Sequence, residues 1–403
     1  MLKTTIITTT VLLALSPALM AQQVNTPSTI GVTATEIKVG ATFPFSGPAS
    51  GLGNIGKALM SYVDSVNEKG GVNGRKINLI ALDDAYTPSK SVEQNRKLVE
   101  SDEVALLFSP VGTASISSIV KYANDRKIPQ LFVVSGANKF TKYAEYPYTT
   151  TGLPSYDTEG KVYAKFITEK LPGARIAILY QNDDMGKDLV GGFRSFMKDD
   201  FDRLVVAKPY ETTDPTVDSQ IFSLKSSGAT AFFIGGTPKF TAQALRKVRE
   251  IGWNPLTVVN FPSSSVAGTF VPAGIDNAKG VVSGTFQKDP TDTRWKDDPS
   301  VNDYRAFVAK YIPAGDVADS AYVLGVIQGQ ILEQVLKQCG DDLSGENIIK
   351  QARSLKDYSP SMAMPGITIN TGANNNQAWT SLQLQQFNGK SWERLGDLIR
   401  AAD

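Results

Sequence analysis

Three short stretches of this chain have the residue types and spacing to do chemistry. Gly51, Gly53 and Gly56 spell G-x-G-x-x-G between a strand-like and a helix-like segment, a pattern that can cradle a pyrophosphate on bare backbone N–H groups. A dinucleotide site needs its first glycine at the strand end and an acidic residue about 20 positions on, at the end of a second strand. Here residues 44–50 separate Phe43 from Gly51, and Glu68 and Asp83 are badly placed for the acidic role. The glycines read as a strand-to-helix loop able to hold an anion or polar head, not as a nucleotide fingerprint.

The other two stretches are the acid pairs Asp83-Asp84 and Asp183-Asp184. Adjacent side chains at a strand end point in different directions, so loop residues and helix caps are the better reading than metal or acid catalysis. Asp184 is still expected at a cleft. Histidine is absent from all 403 residues, which removes His general bases, Ser-His and Cys-His nucleophile pairs and His-ligated zinc together. The single Cys339 allows neither an intramolecular disulfide nor a cysteine metal site, and it reads as a buried small residue. No catalysis, metal or cofactor is expected.

What recurs instead is a Ser-, Thr- and Gly-rich loop, at 43–53, 109–113, 135–138, 182–186, 235–239 and 261–264. Such loops offer hydroxyls and unpaired N–H groups, which suit hydrogen-bonding a ligand more than breaking its bonds. Thr113 and Ser135 also read as helix caps, a role compatible with ligand contact at the same helix end.

The elements that must carry these loops follow from periodicity. Ile37, Val39 and Ala41 alternate with Lys38, Gly40 and Thr42, and from Asn54 onward Ile55, Leu59 and Val63 fall on one helical face. Strands are expected at 76–82, 104–108 and 130–134, then again, past 148–151, at 175–180, 204–207, 230–234 and 256–259. Helix-like stretches separate them, which implies parallel sheets with helices on both faces. The run is too long for one sheet, so the fold class is α/β with two doubly wound parallel-sheet lobes. Helices near 301–311, 320–337 and 344–354 and a β-rich tail at 381–386 and 392–398 complete the chain. Trp253, Trp295, Trp379 and Trp392 read as packing residues.

Lys and Arg number 41 against 40 Asp and Glu, a net charge of +1 without a basic stripe, so no nucleic-acid partner is expected. Residues 1–21, with Lys3, an apolar run at 6–15 and small residues to Ala21, read as a secretory signal peptide cut near Ala21. Residues 22–35 read as a flexible polar lead-in. The apolar run is too short to span a bilayer, and a soluble, exported protein is expected.

Several stretches together resemble a known family: IKVGATFPFSGPASGLGNIG, NEKGGVNGRKINLIALDDAYTPSKSVEQNRKLV, TTGLPSYDTEG, RIAILYQNDDMGKDL, FFIGGTPKFTAQALRKVREIGW and CGDDLSGENI. The chain resembles the Leu/Ile/Val-binding branch of the periplasmic solute-binding proteins of ABC importers, over nearly all of its mature length. The resemblance implies the type I periplasmic binding fold, with a three-stranded hinge crossed near Gly152, Ser283 and Thr380. Lobe 1 would hold 36–152 and 283–379, and lobe 2 would hold 153–282 and 380–403. A monomer would close by hinge motion over one small molecule and dock transiently on a membrane-embedded ABC permease.

Family contact positions fall here at Gly112 and Thr113, at Ser135, Gly136 and Ala137 for a ligand carboxylate, and at Leu52, Met185, Thr237, Pro262 and Ser263. Ser46, Gly53, Tyr156, Asp184 and Phe261 complete the expected contacts. The family's acid for an α-ammonium is missing, because 251–275 contains no Asp or Glu. An unpaired ammonium in a dry cleft is costly. The expected ligand is therefore a carboxylate, aromatic or aliphatic, without an ammonium, although Asp157 or Asp184 could still supply a charge. The alternatives are a branched-chain or other amino acid or amide, and a sensor that signals its bound state to a receptor.

Overall fold

Short segments dense in Val, Ile, Leu and Phe are buried on both faces and pair side by side, as strands of a covered parallel sheet must. The computed structural model describes residues 29–400. The expected signal peptide, residues 22–28 of the lead-in and residues 401–403 lie outside the described residues.

The first sheet is built from β1 (Glu36–Phe43), α1 (Gly53–Glu68), β2 (Lys76–Asp83), α2 (Pro88–Arg96), β3 (Leu106–Phe108), α3 (Thr113–Asp125), β4 (Gln130–Val133) and β5 (Thr149–Thr151). Its five strands run parallel in the order β2-β1-β3-β4-β5. Val39 lies opposite Leu79 on one side and Leu106 on the other. Residues 31–38 double back on β1, with the Lys38 N–H donating to the Gly31 carbonyl at 2.8 Å.

The second sheet repeats the plan with α4 (Tyr156–Lys170), β6 (Ile176–Gln181), α5 (Asp184–Met197), α6 (Asp199–Leu204), β7 (Val205–Tyr210), α7 (Asp218–Ser226), β8 (Ala231–Gly235), α8 (Pro238–Glu250) and β9 (Leu256–Val259). The single turn α9 (Val271–Ala273) precedes β10 (Val282–Thr285). Helices α10 (Pro299–Tyr311), α11 (Ser320–Cys339) and α12 (Gly345–Ala352) follow, then β11 (Ser381–Phe387) and β12 (Trp392–Arg400). The order is β12-β11-β10-β9-β8-β6-β7. Its last two strands pair antiparallel, because 388–391 is too short for a crossover. The run β7-β6-β8-β9-β10 copies β2-β1-β3-β4-β5, so each sheet reverses strand order once, between β1 and β3 and between β6 and β8. No helix among the described residues is long and apolar enough to cross a membrane.

The chain passes between the two sheets at 152–155, after β10 and before β11, and these passages are fastened together. The Thr151 N–H donates to the Asn376 carbonyl at 2.7 Å. The Phe286 ring stands between Phe261 and Trp379, with centroids at 4.6 and 4.7 Å. Trp379 and Trp392 are fully buried, in line with the packing role expected of them.

Helix α11 packs along α1 through a glycine. A Cβ at Gly325 would stand 2.6 Å from the Ala58 Cβ and would also strike the Ile55 carbonyl oxygen. Gly325→Leu is expected to force the helices apart and cost about 1–3 kcal/mol. Thermal melts should show a midpoint several degrees lower, whereas an unchanged midpoint would mean that α1 and α11 yield freely.

Candidate functional site

Between the two order reversals, where strand-end loops leave a crevice, lies a cavity of about 680 Å³, its mouth included. Six helices begin at its wall. Thr113 opens α3, Tyr156 opens α4, Pro238 opens α8 and Ser320 opens α11, Ile55 and Met185 stand in the first turns of α1 and α5, and all six residues line the cavity. First-turn N–H groups lack partners inside their helix and carry the positive end of its dipole. Among the described residues lining the cavity there is no Lys or Arg, and Asp319 is the only charged side chain.

Each wall is set by local chemistry. At the end of β2 the buried Asp84 accepts from the Tyr86 N–H at 2.9 Å. It thereby holds Ala85 and Tyr86 in left-handed backbone at φ 50° and 58°. Tyr86 thus turns onto the cavity, where Gln181 Nε2 donates to its hydroxyl at 3.4 Å. Gly112 is fixed by the same ring: its φ is 106°, and a Cβ there would come within 2.5 Å of Tyr86. Gly112, not Thr113, occupies the cap position of α3, which corrects the capping role expected for Thr113. The Thr113 hydroxyl is bonded instead to the Ser135 hydroxyl at 2.8 Å. Ser135 is no helix cap either, since its Oγ accepts from the Ala137 N–H within its own loop at 3.2 Å.

On the facing side, Asp183 caps α5 by accepting from the Gly186 N–H at 3.2 Å, as its sequence position suggested. Burial pushes its carboxyl up to about 6, against hydrogen bonds from Gln181 and Gly186. The Thr237 N–H donates to the Tyr210 hydroxyl at 3.0 Å. Behind Phe261, Glu159 Oε1 accepts from the Phe261 N–H and from the Tyr163 hydroxyl, both at 2.6 Å. The Tyr163 hydroxyl in turn accepts from the Gly284 N–H at 2.9 Å.

Two parallel sheets with matching strand order, three chain passages and a cavity at the reversals describe one architecture, and sequence comparison agrees with it. A profile of the periplasmic binding protein family matches residues 36–391. The chain belongs to that family. It is 24% identical over 368 residues, 88% of this chain and 90% of its relative, to the Leu/Ile/Val-binding protein homolog 7 of Brucella abortus. Among solved structures, a possible leucine/isoleucine/valine-binding protein from Rhodopirellula baltica superposes with a TM-score of 0.79 at 21% identity, covering 92% of this chain and 98% of that one. A fatty acid ABC transporter substrate-binding protein from Thermomonospora curvata gives 0.75 at 20% identity, covering 92% and 94%.

In this binding protein, eight residues singled out from sequence line the cavity together: Leu52, Gly112, Thr113, Tyr156, Met185, Thr237, Phe261 and Pro262. The others lie off its wall. Ser46 donates through N–H and Oγ to Asp83 at 3.1 and 2.6 Å and fastens its own loop. Gly53 is buried as the first residue of α1, Gly136 and Ala137 are buried in the loop after β4, and Ser135 reaches the cavity only through Thr113. Ser263 donates to the Gly236 carbonyl at 2.7 Å. Asp184 stands at the rim, accepting from Lys139 Nζ at 3.1 Å and Ser117 Oγ at 3.4 Å.

Sequence reasoning missed Tyr86, Ile55, Ser265, Asp319 and Leu324, all on the wall. Asp319 carried a signal: an aspartate directly before an apolar helix is a cap. Its Oδ1 accepts from the Ala321 N–H at 3.0 Å and from Ser265 Oγ at 2.9 Å. Its Oδ2 accepts from Asn54 Nδ2 at 2.8 Å.

Burial raises the Glu159 carboxyl from the ordinary 4.5 to about 7, partly offset by its bonds from Tyr163 and Phe261. Below about pH 4.5 the group is protonated in folded and unfolded chains alike. Between about 4.5 and 7 the unfolded chain loses that proton while the folded one keeps it, so stability falls as pH rises. Across this window the difference in stability between wild type and Glu159→Gln should shift by up to about 3 kcal/mol. Denaturant melts from pH 4.5 to 7.5 measure it; parallel curves would show a Glu159 that ionises normally.

Proposed function

We propose that this chain is the exported, extracytoplasmic solute-binding component of an ABC transporter. Its lobes, 36–152 with 283–379 and 153–282 with 380–403, close over one small organic acid without an α-ammonium and deliver it to a membrane permease. The observation that carries the reading is the meeting of six helix N-termini at a cavity without Lys or Arg among its described lining residues. Such a wall receives a carboxylate on N–H groups and helix dipoles alone. The head fits best at Gly112 and Thr113, where a buried hydroxyl pair adds donors. Leu52, Ile55, Tyr86, Met185, Phe261 and Leu324 offer an apolar sleeve for the rest of the molecule. An ammonium placed beside that head would lack the acid that 251–275 does not contain.

A branched-chain amino acid is the second reading, favoured by the carboxylate of Asp319 on the wall. The Brucella abortus relative is named for Leu, Ile and Val, and the neighbour named for a fatty acid shares the fold at 20% identity; the choice of the first reading rests on the lining.

Thermal-shift screening of the mature chain against aryl and alkyl carboxylates, amino acids and amides separates the two readings. A ligand at about a hundred times its Kd should stabilise by roughly 2.7 kcal/mol and raise the midpoint by several degrees. Carboxylates are expected to do so, and leucine and valine are not. A shift with leucine or valine alone would hand the ligand class to the second reading.

A further inference from the structure

The organic-acid reading leaves unused the one charged side chain among the described residues lining the cavity. Asp319 faces the cavity from the start of α11 and is 6% exposed. An ionised carboxylate presents roughly four acceptor sites. Protein donors fill three of them: Ala321 N–H and Ser265 Oγ on Oδ1, and Asn54 Nδ2 on Oδ2. These donors come from α11, α1 and the loop after β9, so the group is held from three sides. One acceptor site remains, on Oδ2.

Of the wall residues that α11 contributes after it, Ser320 carries a hydroxyl, and Ala321 and Leu324 are apolar. Ser265 gives its proton to Asp319 and accepts from the N–H groups of Gly268 and Ser320 at 3.0 and 3.3 Å, which exhausts its hydroxyl. The wall therefore offers one strong acceptor in an apolar setting. An ammonium brings three donors and would leave two unmatched, whereas a hydroxyl brings one. Asp319 and the Thr113–Ser135 pair share no hydrogen-bond partner and stand at the starts of different helices.

We propose that Asp319 is the specificity-determining acceptor for a hydroxyl at the end of the ligand remote from its carboxylate. The substrate class, resting on the organic-acid reading, is then a hydroxy-substituted carboxylic acid, with an aromatic or aliphatic body spanning the apolar sleeve. A buried carboxylate left unpaired penalises the analogue that lacks the hydroxyl, the asymmetry by which polar sites discriminate most strongly.

Titration calorimetry on the mature chain tests this with phenyl-substituted acids matched in all but one group. That group, at the ring position remote from the carboxylate, is hydrogen, hydroxyl, methoxyl or aminomethyl. The hydroxyl acid should bind at least tenfold more tightly than the unsubstituted one, and the methoxyl acid no better than the unsubstituted one. Asp319→Asn, checked for folding by circular dichroism, should erase the hydroxyl preference. The wild-type series carries the test alone should that variant fail to fold. Equal affinities for the hydrogen and hydroxyl acids overturn the assignment of Asp319 and leave the organic-acid reading standing. So does tightest binding of the aminomethyl acid, or a preference that survives in Asp319→Asn. If no acid binds while leucine does, the organic-acid reading falls and this proposal falls with it.

Discussion

An N–H group in the first turn of a helix has no partner in its own helix, and this structure gathers six such turns around one space. The gathering follows from strand order. Each sheet reverses direction of growth once, and the helices that leave the reversal splay to either side with their starts still close together. Because β7-β6-β8-β9-β10 copies β2-β1-β3-β4-β5, the two crevices are alike and face one another. A pocket walled by helix starts, with no basic side chain among its described lining residues, is the consequence.

The pocket is not independent of the passages that join the sheets. Phe261 lines the cavity and also stacks on Phe286, which stacks on Trp379. Its N–H binds Glu159, and Glu159 binds Tyr163, whose hydroxyl holds Gly284 in β10. One residue of the wall is thus packed and hydrogen-bonded to two of the three connections. A ligand that presses on Phe261 presses on the segments that join the two sheets.

Much of this was legible in the sequence because it rests on local rules. Period-2 apolar runs marked the strands, and glycine and hydroxyl clusters marked their carboxyl ends. Leu52, Gly112, Thr113 and Thr237 belong to such loops. What the sequence hid depends on non-local placement. Asp319 is legible as a cap, but only the packing of α11 on α1 brings that cap beside Asn54 and Ser265. Tyr86 lies two residues past an acid pair, and its position depends on a left-handed turn. Ser46 and Ser263 have the right residue type at the right strand ends, yet neighbouring loops consume their hydroxyls. Short loops oblige polar side chains to satisfy the backbone first.

At the rim, Lys139 and the Asn138 N–H of one half meet Asp184 and Asp188 of the other at 3.1 and 2.7 Å. These bonds involve no ligand, so they favour the shut arrangement whether or not the pocket is occupied. If the halves open and shut, the rim biases that ratio in the empty protein, and ligand affinity is the affinity of the shut pocket scaled by how often that pocket is already assembled. One half-exposed ion pair and one backbone-to-carboxylate hydrogen bond at the rim would thereby enter the dissociation constant, and because salt screens such charges, ionic strength would enter it as well.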